Sequence, residues 1–422
     1  MENITDRFLR YTKINTTTNR ELGAQGVMPS SPGQFELATL LKAELEAFGL
    51  DEVTLRDTAI LTATLRGNDA NVPTVSFFAH LDTSAEQSND TNAHIVSYQG
   101  GDIELSKKVW LKVSEFPELA QYENQDIIVT DGTSLLGADD KAAIAAIMDM
   151  LQHFTSLESK GDTALKHGDI KIAFLPDEEQ GLRGAKAFDV ESFGADFGYT
   201  LDCCGIGEFV CENWNAGNAE VRFVGQSAHP MSAKGKLKNS LLMAHKFISM
   251  LPAGEAPEYT EGREGYYWVK ELSGNSASTL LKLDIRDFSQ VGYKKRMAFL
   301  KQLGQNCQSL WGEESVELAL MDRYENVANR LQGTHNYPIA IAKQAYQDNG
   351  IDMKTTPMRG GYDGAVLSQK GLPCPNIFTG AHNFHSIYEY LPVPSLQAAS
   401  KVIQSIVIIT QQRIEAQSEA VT

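Results

Sequence analysis

The chain has 422 residues, of which 42% are hydrophobic and 22% charged, and its net charge is −17. This length exceeds one small core and sets an expectation of about two or three domains of ordinary globular composition. The negative balance argues against nucleic acid or an anionic membrane as a partner. No apolar run approaches the ~20 residues that span a bilayer. The start, Met1-Glu2-Asn3-Ile4, lacks the basic and apolar parts of a signal peptide. Cys203, Cys204, Cys211, Cys307 and Cys374 are odd in number and show no framework spacing, which suits a reducing cytoplasm.

Residues 32–49 read as an amphipathic helix, with Leu37, Leu41, Leu45 and Phe48 on one face and Gly49 at its end. Short β-like runs follow at 53–55 and 60–65. A strand at 75–79 runs straight into His80-Leu81-Asp82. There the histidine can ligate a metal and the carboxylate can orient its ring; a core histidine hydrogen-bonded to an aspartate is the plain alternative. A β-like run at 127–130 leads to Leu135-Leu136-Gly137-Ala138-Asp139-Asp140-Lys141, which opens a helix of small and apolar residues. One aspartate suffices as an N-cap, so the tandem leaves one for another task.

The strand at 170–175 is stopped by Pro176 and followed at once by Asp177-Glu178-Glu179. Ligands of open α/β sheets sit at the carboxyl ends of strands. Adjacent anions there repel one another unless solvent or a cation compensates them. Neighbouring residues point in different directions, so of Glu178 and Glu179 one can bind a metal while the other handles protons; a solvated acidic loop is the plain alternative. The run at 198–202 ends in Asp202. Three apolar strands and one helix start thus each end in a candidate ligand, and that repetition is the strongest internal evidence for a site.

From about residue 216 the pattern changes. The expected elements are strands at 219–223, 266–272, 281–286 and 316–320, with helices at 239–251 and 291–303. The order β-α-β-β-α-β is that of a ferredoxin-like unit. Residues 214–324 are expected to form a second domain inserted into a first made of 1–213 and 325–422. The remainder returns to the α/β style, with helices at 337–348 and 395–414 and a short strand at 375–378. A glycine-rich turn, Met358-Arg359-Gly360-Gly361-Tyr362-Asp363-Gly364, lies between them.

With these residues in view, the chain resembles the peptidase T family, the tripeptide aminopeptidases of the dinuclear zinc exopeptidases. The resemblance covers nearly the whole length. It runs through His80-x-Asp82, Leu135 to Lys141, Pro176-Asp177-Glu178-Glu179 and Ala228-His229-Pro230. It continues through Ile285-Arg286-Asp287-Phe288, Arg359-Gly360-Gly361 and Leu372-Pro373-Cys374-Pro375-Asn376. It implies an α/β/α zinc-exopeptidase-like catalytic domain with an inserted ferredoxin-like α+β lid or dimerisation domain. It further implies two zinc ions per chain bridged by Asp139, with His80 and Asp202 completing one site and Glu179 and His385 the other. Asp82 would orient His80, and Glu178 would be the general base toward a water activated between the zinc ions. His229 would stabilise the oxyanion, while Arg286, Arg359 and Asn239 would hold the peptide. A cis peptide at Asp139–Asp140 belongs to the same pattern.

The implied activity is cytoplasmic release of the N-terminal residue of tripeptides with a free N-terminus; self-association through the inserted domain is left open. A dipeptidase, an N-acyl amino-acid amidohydrolase and a metal-free binding protein on the same scaffold are the alternatives. The chain departs from the family at Cys203-Cys204 after Asp202, at Tyr362 before Asp363, and at Ser386-Ile387-Tyr388 after His385, although Glu389 remains. The last two departures are expected near the substrate entrance.

Overall fold

The computed structural model describes residues 2–87, 90–159 and 166–419, which form two compact units. The first comprises Met1–Cys211, Arg330–Thr356 and Tyr362–Thr422, the second Glu212–Asn329 and Pro357–Gly361. The boundaries expected at 213/214 and 324/325 therefore move to 211/212 and 329/330, and Pro357–Gly361 joins the second unit. Side-chain lacing explains the shift. Asn326 Oδ1 accepts the Asn213 N–H at 3.0 Å, and Asn215 Oδ1 accepts the Asn326 N–H at 3.1 Å. The Met358 N–H donates to the Glu212 carbonyl at 2.9 Å.

The first unit is built on an eight-stranded sheet. Its strands are β1 (Asp51–Leu55), β2 (Leu61–Leu65), β3 (Val75–His80), β4 (Ile170–Leu175), β5 (Phe197–Cys203), β6 (Glu208–Val210), β7 (Lys354–Thr355) and β8 (Asn376–Phe378). They lie in the order β1-β2-β4-β3-β5-β8-β6-β7. The central strands β4, β3, β5 and β8 run parallel, so their carboxyl ends share one edge. β3 is buried at every position and β4 at all but Lys171, as parallel strands covered by helices must be. Buried alanines at 142, 143, 145 and 146 let the helix Ala138–Ser159 pack on β3 and β5. The run expected at 127–130 belongs to a separate three-stranded sheet, in which Gln125–Val129 lies between Leu391–Pro392 and His94–Tyr98.

Val393–Gln412 is long and apolar enough, by length and composition, to cross a membrane. No unbroken apolar run marks it, because Gln404 and Ser405 interrupt the pattern. In this fold 56% of that stretch is buried, with Val402, Ile403 and Ile406 in the core.

The second unit has the ferredoxin-like order. Asn215–Val224, Tyr266–Gly274, Ser278–Asp287 and Val316–Tyr324 form one antiparallel sheet, with Tyr266–Gly274 and Val316–Tyr324 at its edges. The helices Ser240–Ser249 and Gln290–Trp311 pack on it. Val221, Phe223, Phe247, Leu281, Leu283, Ile285 and Leu300 fill the space between. The second helix runs eight residues beyond its expected end at 303, because Gly304 does not break it but packs inside it, close against Leu318 of the edge strand.

Candidate metal centre

The parallel register explains how residues far apart in sequence meet. His80, the last residue of β3, lies beside Leu175, the last of β4. Asp177, Glu178 and Glu179 therefore turn over the same edge. Asp202, near the end of β5, follows from the β3–β5 pairing. The helix Ala138–Ser159 brings Asp139 to this edge, and the segment after β8 brings His385.

Two groups of donor atoms result. One is formed by His80, Asp139, Asp140 and Asp202, the other by Asp139, Glu179 and His385, with all donor atoms in each group within 4.8 Å of one another. Asp139 belongs to both. Its Oδ1 lies 2.8 Å from His80 Nε2 and its Oδ2 lies 3.1 Å from His385 Nε2. Glu179 Oε1 is 2.6 Å from the same His385 nitrogen. The Asp139–Asp140 peptide is cis.

The carboxylates that surround this edge set its electrostatics. Burial raises the pKa of Glu178 and of Asp202, and repulsion from neighbouring carboxylates adds to both shifts. Burial also raises Glu179, while His385 opposes that shift. Burial works against a charged His80, but Asp140, Asp139 and Asp82 overcome it and hold the ring protonated. Hydrogen bonds to Asp139 and Glu179 push His385 up to about 10. Without cations the cluster therefore retains protons, which divalent ions would replace. Oxygen and imidazole donors suit zinc and related ions. Asp140 Oδ1 is a buried oxygen with no hydrogen-bond partner, a donor atom that such an ion would satisfy, so the residues fit such ions.

Asp82 differs in part from the expected arrangement. His80 Nδ1 is 2.9 Å from the Asp82 carbonyl oxygen and 3.4 Å from its Oδ1. The carboxylate is occupied by the backbone N–H groups of Glu178 and Glu179, at 2.9 and 3.1 Å. Asp82 thus places the two glutamates and holds His80 chiefly through its backbone. Asp177 faces away from the donor groups. Its buried carboxylate accepts bonds from Ser30, Gln34 and Arg183 and anchors the N-terminal segment.

The remaining expected site residues lie in the second unit. His229 is exposed, and its Nδ1 accepts the Met231 N–H at 3.2 Å. That bond makes Nδ1 an acceptor and leaves Nε2 as the donor of the neutral ring. Arg286 Nη1 donates to the carbonyls of Gly217 and Ile285, both at 2.9 Å, and Nη2 to Asp284 at 3.2 Å. Arg359 stacks over Trp214 at 5.0 Å and Tyr266 at 5.9 Å. Asn239 caps Ser240–Ser249, its side chain accepting the Leu241 N–H at 3.0 Å.

Sequence reasoning assigned no role to three residues at the metal edge. Asp140 Oδ2 accepts the His80 N–H at 3.0 Å; the tandem aspartate was its only signal. Asn376 Oδ1 accepts the Asp202 N–H at 2.7 Å and the Thr200 hydroxyl at 3.0 Å. Glu389 is buried against the turn that carries Asp139. The last two stand in recognisable motifs, but their partners are distant in sequence.

The family departures also take their places. Tyr362 is fully buried, its hydroxyl 3.4 Å from the Cys374 carbonyl, so it lines no entrance, contrary to expectation. Tyr388 packs against Phe116 with ring centroids 5.4 Å apart. Burial raises the pKa of Cys203 and of Cys204 and keeps both thiols protonated.

Residues 135–408 match the model of peptidase family M20/M25/M40. A peptidase T-like protein of Rhizobium meliloti is 45% identical over 410 residues, covering 96% of this chain and 98% of that protein. Peptidase T of Clostridium perfringens is 43% identical over 412 residues, covering 97% and 99%. Among solved structures, the aminopeptidase PepT of Bacillus cereus superposes with a TM-score of 0.74 at 21% identity, covering 97% of this chain and 98% of that one. With a matching family model over most of its length and relatives of this similarity along the whole of it, the chain belongs to peptidase family M20/M25/M40.

Proposed function

We propose that this protein is a dinuclear zinc aminopeptidase that removes the N-terminal residue of tripeptides. The observation that carries the proposal is the Asp139 carboxylate, which offers one oxygen to each of two donor groups. His80 and Asp202 would hold one ion with it, Glu179 and His385 the other. When bound, the ions would supply Lewis acidity toward the scissile carbonyl and lower the pKa of a water beside it.

The chain's own residues do the rest. Asp82 presents Glu178 and Glu179 by their backbones, so the two side chains can diverge in role. Glu178 takes the proton of the attacking water and returns it to the leaving amine. His229, with its proton on Nε2, donates to the developing oxyanion. Arg286, Arg359 and Asn239 hold the peptide. Tripeptide preference rests on the peptidase T resemblance, and a cytoplasmic setting on cysteines that are odd in number and lack framework spacing. Self-association through the second unit is supported by its edge strand, which exposes Trp268, Val269 and Leu272; sedimentation measures it.

The test is a panel of di-, tri- and tetrapeptides with free and acetylated N-termini, assayed beside metal content. Turnover of free tripeptides, lost on chelation and restored by zinc or cobalt at about two ions per chain, is expected. Full activity in metal-free protein would refute the metal reading. A preference for dipeptides or acetylated substrates would refute the substrate reading alone.

A further inference from the structure

Glu389 is buried, four residues after His385, and its carboxylate is spent entirely on another part of the chain. Oε2 accepts the N–H groups of Leu136 and Gly137, both at 2.8 Å, and Oε1 accepts that of Asp139 at 3.0 Å. These donors lie at the start of Ala138–Ser159, where backbone N–H groups have no partner within the helix. Gly137 takes φ +74 there, which brings its N–H and those beside it onto one carboxylate.

His385 itself has a left-handed backbone, φ +63, a conformation that L side chains rarely adopt. The loop around it is closed by the Glu389 N–H to the Ser386 carbonyl at 3.1 Å and by Asn383 Nδ2 to the Tyr388 carbonyl at 3.0 Å. The carboxylate of Glu389 then ties this closed loop to the backbone of Asp139. His80 has a different support: it ends a strand paired on both sides, and its N–H is held by Asp140.

We infer that Glu389 is a positioning residue that sets the distance between Asp139 and His385, and hence the affinity of the ion shared by Asp139, Glu179 and His385. This rests on the two-ion reading above. A simple helix cap would stabilise the fold without acting on one ion more than the other.

The experiment titrates cobalt or zinc into chelator-treated protein by calorimetry, with thermal unfolding of the metal-free form alongside. Wild type should take up two equivalents; fewer than two would refute the two-ion reading, and this inference with it. In Glu389→Gln an amide nitrogen replaces one acceptor oxygen. The affinity of one equivalent should fall about 10–100-fold, the usual cost of losing a group that orients a ligand, while the other is unchanged. Excess metal should restore kcat with KM unaltered. Glu389→Asp keeps the charge but is one methylene shorter, and should lose the same equivalent; it carries the test if Glu389→Gln does not fold. Wild-type affinity for both equivalents in a folded variant, or an equal loss of both, would overturn the inference.

Discussion

On the proposed mechanism, replacing Glu178 with glutamine should separate proton transfer from metal binding. The residue's placement does not depend on its side chain, because Asp82 Oδ1 holds its N–H at 2.9 Å. Its side chain belongs to neither of the two donor groups, and glutamine has nearly the same volume. Metal content should therefore stay at the wild-type level. Losing a positioned base lowers kcat by at least ~100-fold, the lower end for such groups, or about 2.7 kcal/mol in the barrier. Glu179→Gln makes the opposite change. It removes a charged oxygen 2.6 Å from His385 Nε2 and should release one ion. Both variants are measured for metal per chain by mass spectrometry and for tripeptide turnover at saturating substrate. A Glu178→Gln protein short of one metal, beside a Glu179→Gln protein that keeps two, would refute the division of roles.

Two further expectations concern histidines outside the donor groups. His229→Ala should reduce turnover by ~100-fold or more, near the ~3 kcal/mol cost of an oxyanion donor, with metal content and melting temperature unchanged; near-normal turnover would show it to be a bystander. His382, bonded to the Tyr122 hydroxyl at 2.6 Å and stacked on Tyr390, has its pKa pushed down by burial to about 4, against 6.5 for a free imidazole. As pH falls through 6.5 the unfolded chain gains this proton and the native state does not, so stability declines toward pH 4, by up to about 3 kcal/mol at 1.36 kcal/mol per unit. Urea unfolding of chelated protein across that range should show a shallower acid decline in His382→Phe than in wild type; identical slopes would assign the decline to other groups.

The amino-acid order alone was enough to single out the carboxyl edge where the donor groups gather, because its pattern is local. An apolar run that ends in His80, in Pro176-Asp177-Glu178-Glu179 or in Asp202 announces a strand and its carboxyl end together. The β-α-β-β-α-β order from 215 to 324 was legible for the same reason, since each element carries its own periodicity. Whatever depended on partners distant in sequence was not. Glu389 and the N–H groups it accepts are some 250 residues apart, and nothing near either end signals the pairing. That Asp82 spends its carboxylate on the N–H groups of Glu178 and Glu179 follows from parallel pairing of β3 with β4. That Asp177 anchors Ser30 and Gln34 while Glu178 and Glu179 turn over the carboxyl edge of the sheet is likewise a matter of backbone direction at φ +56. Tyr362 read as a substitution near substrate, yet packing sealed it inside the first unit. Pro357–Gly361 joined the second unit because Arg359 found Trp214 and Tyr266 to stack on. Side-chain identity is written residue by residue; which groups meet is decided by the chain's closure on itself.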